Sequence, residues 1–237
     1  MTRRVLFLRI TAALFLFSSI ARAGEKPRDA GLAPKETLTI RLIGDSTVAS
    51  TYGWGPAFAK RFNDRVKVLN FAKNGATLDS LSARLDVLIK SKPDYVLIQF
   101  GHNDMKRYDA KAYSVKLRDY VERITAGGSK AIVLSSVTRR IFDEHGKISP
   151  AVFQDNRTLP VFALSAQAVA KEQNVPFIDL NSISIAHHNK IGPVESATYN
   201  FNQKDRTHFS KKGAMAIAGL IINELPTAAP EVAAYVK

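Results

Sequence analysis

Apolar and polar positions follow two alternating periodicities along this chain, one typical of buried strands and one typical of helices. Runs that are apolar or rich in β-branched residues predict five strands, at 37–43, 66–70, 94–100, 131–134 and 175–178. Apolar residues spaced three and four positions apart predict helices over 56–62, 78–89, 110–124, 159–172 and 211–225. Because strands and helices alternate, the pattern predicts a parallel sheet covered by helices on both faces.

Three local features refine this prediction. The run 94–100 is almost continuously apolar, which indicates a strand buried on both faces. Pro176 lacks a backbone N–H and therefore places the fifth strand at an edge of the sheet. Ser210 is a helix-capping residue in front of the last predicted helix. The polar stretch 192–203 is predicted to be a long connection, a candidate wall of a cleft.

The N-terminus has the organisation of a secretory signal peptide. Residues 1–23 have a basic start and an apolar middle, and they end in Ala21-Arg22-Ala23, which predicts cleavage before Gly24 and export of the chain. The alternative is a membrane anchor, but the apolar run is short for a span and Arg9 interrupts it. We expect residues 24–36 to be a leader, residues 37–237 to form a single domain, and the protein to have no membrane association after cleavage.

Composition and charge narrow the possible functions. The 237 residues have a net charge of +13, and removing residues 1–23, with four arginines and no acids, lowers it to +9. The absence of cysteine excludes disulfides, thiol catalysis and Cys-type zinc sites. A basic protein can bind nucleic acid, lipopolysaccharide or an acidic glycan. Nucleic acid is disfavoured, because the basic residues cluster no further than pairs such as Arg139-Arg140 and Lys211-Lys212.

Small polar clusters follow the predicted strands or precede the last helix. They comprise Gly44-Asp45-Ser46-Thr47, Asn70 to Gly75, Gly101-His102-Asn103-Asp104 and Asp205-Arg206-Thr207-His208. In an open α/β sheet, ligands bind outside the carboxyl ends of the strands. We therefore expect these clusters to converge on one edge of the sheet.

The residue types in these clusters are those that acyl transfer requires. Ser46 is a candidate nucleophile, His208 a candidate proton acceptor, and Asp205 a candidate for holding the imidazole in the required tautomer. The backbone N–H groups of Ser46 and Gly75 and the side-chain amide of Asn103 are candidate oxyanion donors. The Gly-x-Ser-x-Gly elbow of α/β-hydrolases is absent.

The ordered set of clusters resembles the SGNH (GDSL-like) hydrolase superfamily, and the resemblance extends from about Leu38 to Leu225. Within that superfamily, the chain is most similar to rhamnogalacturonan acetylesterases and related carbohydrate esterases. The narrower match is carried by four sets of residues: 44–47; Gly53-Trp54-Gly55; 137–140 with Phe142-Asp143 and Gly146-Lys147; and 205–210 with Gly213-Ala214. One departure is Gly75-Ala76-Thr77, where such enzymes often have Gly-Arg-Ser, and it leaves the exact polysaccharide open.

The resemblance implies a flavodoxin-like three-layer α/β/α sandwich with a five-stranded parallel sheet. It also implies an esterase, without metal or cofactor, that removes acetyl groups from plant cell-wall polysaccharide such as pectic rhamnogalacturonan. The partner would then be an acetylated acidic polysaccharide, while the oligomeric state is left open. Two alternatives remain: a lipase-like or lysophospholipase-like SGNH esterase, and a non-catalytic binder of an acidic glycan.

Further residues are candidates for substrate binding or for structural roles. Trp54 either stacks on a sugar or fills the core under its loop. Arg139 and Arg140 follow the fourth strand and are candidates for binding uronate carboxylates. His102 is expected to shape its loop by bonding backbone. The pair His187-His188 lacks an evident third ligand nearby, so no metal site is predicted.

Overall fold

The computed structural model of the protein describes residues 36–237. The predicted signal peptide, 1–23, and all but the last residue of the predicted leader, 24–36, lie outside the described residues. Within 36–237, no helix combines the length and the apolar character that crossing a bilayer requires.

One five-stranded parallel sheet forms the centre of the fold, with the strand order β2-β1-β3-β4-β5. Its strands are β1 Leu38–Gly44, β2 Val66–Asn70, β3 Tyr95–Gln99, β4 Lys130–Leu134 and β5 Phe177–Ile178. All residues of β3 are buried, as its continuous apolar run predicts. The short β5 lies at the edge, where the missing N–H of Pro176 costs no ladder bond. The predicted five-stranded parallel sheet is therefore confirmed.

Helices cover both faces of the sheet and complete three layers. They are α1 Gly55–Ala59, α2 Ser82–Lys90, α3 Ala110–Ala126, α4 Leu159–Glu172, α5 Leu180–Ala197, α6 Lys211–Ala228 and α7 Pro230–Ala233. Leu42 and Leu97 pack in a buried cluster with α1 and α6, whereas Ile43, Val96 and Ile98 pack in a second cluster with α2, α3 and α4. Successive strand residues thus face opposite layers, and the α/β/α sandwich is confirmed.

Two segments differ from the sequence-based expectation. Helix α5 occupies 180–197, whereas the sequence pattern assigns no helix to 180–191 and predicts a polar connection over 192–203. A kink at Gly192, with φ +75°, and the following Pro193 interrupt the helical periodicity. Helix α7 was not predicted either, because four residues are too few to show a period. The Ser210 cap is confirmed, since its hydroxyl accepts the Gly213 N–H at 3.2 Å.

Candidate active site

The turn that carries Ser46 follows β1 directly. The carboxylate oxygen Oδ1 of Asp45 accepts the Thr47 N–H at 2.9 Å and the Thr47 hydroxyl at 2.7 Å. The Asp45 carbonyl accepts two more N–H groups further along the turn, each at 3.1 Å. A Cβ atom on Gly44 would lie 2.3 Å from the Gln99 carbonyl oxygen, so only glycine lets the strands approach so closely here. These contacts fix Ser46 at the carboxyl edge of the sheet.

A chain of buried hydrogen bonds supports the same turn from below. The indole N–H of Trp54 donates to Gln99 Oε1 at 2.9 Å, and the Gln99 amide donates to the Thr47 hydroxyl at 2.5 Å. Trp54 is only 1% exposed, and its ring packs edge-on against Phe58. This corrects the assignment of Trp54 as a substrate-binding residue. A buried indole needs an acceptor for its N–H, and Gln99 supplies that acceptor inside the core.

Ser46, His208 and Asp205 form one continuous hydrogen-bonded arrangement. The Nε2 atom of His208 lies 2.7 Å from Ser46 Oγ, and its Nδ1 atom lies 2.8 Å from Asp205 Oδ2. The structure thus brings together two segments that are 162 residues apart in the sequence. This is the geometry in which an imidazole can take a hydroxyl proton while a carboxylate holds its tautomer.

The loop around Asp205 favours the ionised carboxylate. Partial burial opposes ionisation, but Asp205 also accepts the backbone N–H groups of Thr207 and His208, each at 2.9 Å, together with the His208 side chain. The hydrogen bonds outweigh the burial and hold the pKa of Asp205 below its ordinary value. The carboxylate therefore remains available to orient the imidazole down to acidic pH.

Arg140 braces this loop from inside the protein. It is 2% exposed, and its guanidinium donates to Asn200 Oδ1 at 2.6 Å and to the His208 carbonyl at 2.5 Å. Its Cζ atom lies 4.8 Å from the centre of the Phe209 ring. Burial lowers the pKa of Arg140 to about 10, so the group is still charged at neutral pH. The assignment of Arg140 to substrate binding is thus corrected: a side chain enclosed by the loop cannot reach a polysaccharide.

Asn200 is a residue that the sequence-based reasoning missed. It lies in a short antiparallel bridge with Phe209, so it holds the segment before Asp205 against the segment after His208. An isolated Asn in a polar stretch carries no local signal of this role. Its side-chain oxygen accepts a hydrogen bond from the buried Arg140, and this contact is visible only in the folded structure.

The candidate oxyanion donors Gly75 and Asn103 lie on loops that hydrogen bonds join to each other and to the end of β1. The Lys73 N–H donates to the Gly44 carbonyl at 3.1 Å, which holds the loop before Gly75 against the end of β1. The Asn103 side-chain amide donates to the Ala76 carbonyl at 3.0 Å, which leaves its second N–H for another acceptor. Gly75 is exposed and has φ +73°, a left-handed conformation that favours glycine.

His102 lies on the loop after β3 and Arg139 on the loop after β4, and the two side chains are neighbours. The buried His102 ring lies 3.0 Å, at Nε2, from the Val137 carbonyl, as its predicted role in bonding backbone requires. Burial, and then the nearby Arg139 charge, hold the pKa of His102 well below its usual range, so the ring is neutral. Arg139 is half-buried, and its guanidinium lies 5.2 Å from the centre of the Phe153 ring. Unlike Arg140, Arg139 remains a candidate for binding substrate.

The two adjacent histidines lie in structural contacts on α5. His188 is fully buried, its Nδ1 lies 2.9 Å from the Ser196 hydroxyl, and burial lowers its pKa to about 3. His187 Nε2 lies 3.2 Å from the Tyr199 hydroxyl. The His188 contact therefore spans the kink within α5, and the His187 contact joins α5 to the segment that follows it.

Asp104 predicts a specific dependence of stability on pH. It is fully buried, its Oδ1 accepts the Leu78 N–H at 2.9 Å, and burial, together with the Asp45 charge, raises its pKa to about 7. The pKa of an Asp in an unfolded chain is about 4. The folded state therefore binds the proton more tightly, and the stability that this adds is lost as pH rises from about 4 to about 7.

We expect Asp104→Asn to remove this loss, because the amide keeps an acceptor for Leu78 and cannot ionise. The difference in melting temperature between the variant and the parent should increase from pH 4 to pH 7 and stay constant at higher pH. Each pKa unit corresponds to about 1.4 kcal/mol, so the change should be a few kcal/mol at most. If the difference in melting temperature between the two proteins is constant across pH 4–8, folding does not raise the pKa of Asp104 and the carboxylate is ionised over this range.

The sequence is similar to those of known proteins. The model of the GDSL-like lipase/acylhydrolase family matches residues 42–216. The chain is 35% identical over 213 residues to rhamnogalacturonan acetylesterase RhgT of Bacillus subtilis (strain 168), which covers 79% of this chain and 89% of the relative.

Solved structures share the fold. Protein YXIM from Bacillus subtilis superposes with a TM-score of 0.67 at 24% identity, over 80% of this chain and 56% of that one, so this chain spans about half of its length. The acetylxylan esterase Axe2 from Geobacillus stearothermophilus superposes with a TM-score of 0.61 at 22% identity, over 81% of this chain and 96% of that one.

Proposed function

The chain belongs to the GDSL-like lipase/acylhydrolase family, and from that premise we propose that it removes acetyl groups from an acidic plant cell-wall polysaccharide. Membership in the SGNH superfamily makes it a carboxylic ester hydrolase, so the alternative of a non-catalytic binder falls away. The observation that carries the proposal is the hydrogen-bonded line from Ser46 Oγ through His208 to Asp205, with contacts of 2.7 and 2.8 Å.

In the first half of the proposed reaction, Ser46 Oγ attacks the acetyl carbonyl carbon while His208 Nε2 takes the hydroxyl proton. Asp205 accepts a hydrogen bond from Nδ1–H and stabilises the imidazolium that forms. The carbonyl oxygen becomes an oxyanion, which the N–H groups of Ser46 and Gly75 and the Asn103 amide stabilise. Collapse of the intermediate breaks the ester bond. His208 gives its proton to the departing sugar hydroxyl, and the acetyl group stays on Ser46.

In the second half, a water molecule attacks the acetyl-enzyme. His208 takes a proton from that water, the same donors stabilise the second oxyanion, and the proton then returns to Ser46 Oγ as acetate leaves. The imidazole thus serves as base and then as acid in each half, and no metal or cofactor takes part in the proposed reaction.

The substrate class rests on the relatives and on the charge. The relative RhgT is named a rhamnogalacturonan acetylesterase, and Axe2 is named an acetylxylan esterase. The net charge of +13, or +9 after removal of residues 1–23, favours a polyanion over neutral xylan. We further propose that the chain is exported after cleavage next to Ala23, because its substrate lies outside the cell.

A chain-length series of nitrophenyl esters tests the acetylesterase proposal against the lipase-like alternative. We expect kcat/KM to be highest for the acetate and to fall steadily for butyrate, octanoate and longer esters. A maximum at eight carbons or more would instead support the lipase or lysophospholipase alternative.

Asn103 offers a test of the oxyanion hole. Asn103→Ala removes one donor that is needed most when the carbonyl oxygen becomes charged, so kcat should fall by roughly 10²–10³ while KM changes little. Steady-state kinetics on nitrophenyl acetate measure this effect. A loss that appears in KM alone would mean that Asn103 binds the ground state and is not an oxyanion donor.

Arg139 tests recognition of the acidic backbone. Arg139→Ala should raise KM on acetylated rhamnogalacturonan by roughly fivefold, the upper range for one partly exposed ion pair, with a smaller change on neutral nitrophenyl acetate. Equal effects on the two substrates would remove Arg139 from the proposed substrate contacts and leave it as a neighbour of His102.

A further inference from the structure

A groove of about 780 Å³ lies beside the reacting residues, in addition to the site described above. It runs between the loop 50–53, helix α1 and the first turns of α6. Its floor is mainly apolar and aromatic, and its rim is basic. The residues that the argument uses are Tyr52, Phe201, Met215, Lys60, Arg61 and Lys211.

One of the residues that line the groove, Tyr52, is a neighbour of the His208 imidazole. The Tyr52 ring lies with its centre 5.2 Å from that of the His208 ring and 4.6 Å from that of the Phe201 ring. Its backbone carbonyl also accepts the Phe209 N–H at 3.0 Å. The groove therefore lies on the His208 side of Ser46, and its lining includes neither Gly75 nor Asn103.

This placement indicates which part of the substrate the groove receives. In ester hydrolysis, His208 must give a proton to the leaving oxygen, so the leaving group lies on the imidazole side. The acyl carbonyl oxygen, by contrast, points to the oxyanion donors. For an acetylated glycan, the leaving group is the sugar chain. The groove is thus positioned for carbohydrate and not for an acyl tail.

Its lining suits a carbohydrate. Phe201 is 47% exposed and Met215 is 49% exposed, and together with Tyr52 they present apolar surface at the protein–solvent boundary. Concave surfaces of this kind, with a few polar groups, are typical of ligand sites. The faces of pyranose rings carry C–H groups, and they pack on such surfaces while their hydroxyls remain in water.

The rim of the groove is positively charged. Lys60, Arg61 and Lys211 line it, and no acidic side chain is among its lining residues in the described part of the chain. Lys211 is also the first residue of α6, whose first turn contains no acid. A cation at that end opposes the helix dipole and lowers helix stability. The helix dipole therefore does not account for a lysine at this position, whereas the groove does, because Lys211 adds positive charge where an anionic ligand would lie.

We propose that this groove binds the stretch of glycan next to the acetylated sugar, and that the occupant is a chain containing uronic acids. Phe201, Tyr52 and Met215 pack against the sugar faces, while Lys60 and Lys211 pair with carboxylates. The inference rests on the proposed function and deepens it, because it assigns the acidic part of the substrate to particular cations.

Charge reversal at the rim tests this assignment. The double variant Lys60→Glu with Lys211→Glu should raise KM on acetylated rhamnogalacturonan by roughly tenfold relative to any change on nitrophenyl acetate. The substitution at 211 favours the dipole of α6, so the fold should be retained. The double variant Lys90→Glu with Lys171→Glu makes the same charge change away from the groove, in the last turns of α2 and α4 on the other face of the sheet. It is the matched control and is expected to leave both values as in the parent.

The outcomes separate the two levels of the proposal. If the parent hydrolyses nitrophenyl acetate but releases no acetate from any polysaccharide, the proposed function fails. If the parent deacetylates rhamnogalacturonan and the double variant keeps the parent KM, only the groove assignment fails. An equal rise in KM on acetylated xylan would also overturn it, because neutral xylan has no backbone carboxylates for these cations to bind.

Discussion

Replacing Ser46 with alanine is expected to abolish nearly all esterase activity, with kcat on nitrophenyl acetate falling by at least about 10⁴-fold. Without the hydroxyl there is no nucleophile, and what remains is stabilisation of the oxyanion around an unassisted water. The fold should be unaffected, because the one hydrogen bond described for Ser46 Oγ is the contact with His208. Initial rates and melting temperatures of both proteins measure the two effects.

The matched control for this variant is Ser182→Ala. Ser182 is an exposed serine near the start of α5, and its replacement should leave kcat unchanged. If purified Ser46→Ala hydrolyses nitrophenyl acetate as fast as the parent, Ser46 is not the nucleophile. If Ser46→Ala loses both rate and thermal stability, the rate must be measured at a temperature where the variant is folded. A low rate there would still identify Ser46 as the nucleophile.

His208→Ala is expected to cause the second large loss, of roughly 10⁴-fold or more in kcat, because among residues 36–237 His208 is the group hydrogen-bonded to the Ser46 hydroxyl. His102 provides a comparison within the same site. Its ring is buried, neutral and bonded to the Val137 carbonyl, so His102→Gln should lower kcat by about tenfold or less. Kinetics on nitrophenyl acetate for the two variants, side by side, measure the contrast.

The contrast has a clear failing result. If His102→Gln lost as much activity as His208→Ala while retaining its melting temperature, the neutral histidine would be part of the proton transfer and the assignment of the base would be wrong. If kcat and the melting temperature of His102→Gln both fall, the loss of activity would instead reflect damage to the loop that carries Asn103.

The central sheet could be predicted from the sequence because its signals are local. The apolar run of β3 and the Pro176 signal in β5 identify a buried strand and an edge strand without knowledge of the rest of the chain. The position of Ser46 follows from one rule of topology, since Ser46 comes directly after β1 and the carboxyl ends of parallel strands meet at one edge. Asp205 and His208 precede α6 and do not follow a strand, so their convergence with Ser46 is predicted from their residue types and from the resemblance. The catalytic role of these residues stays a prediction until the variants above are measured.

The orientations of Trp54 and Arg140 could not be predicted, because they depend on tertiary contacts. Arg139 and Arg140 are adjacent and chemically identical, yet one is half-exposed and the other is enclosed between Asn200 and the His208 carbonyl. Likewise, Trp54 faces the core because Gln99, 45 positions along the chain, accepts its N–H. Neither partner is visible in a local pattern.

Helix α5 shows a different limit. Gly192 and Pro193 are signals that normally end a helix, and here they bend one. The buried contact between His188 and Ser196 spans the bend, so packing across the kink offsets what local propensity disfavours. A sequence pattern records the propensity and not the packing.

The most direct test of the proposed function is acetate release from acetylated rhamnogalacturonan, set beside acetylated xylan at equal ester content. We expect the parent to release acetate from rhamnogalacturonan with a clearly higher kcat/KM, and Ser46→Ala to release none above background from either polymer. Release from neither polymer by the parent, or equal release by Ser46→Ala, would contradict the account.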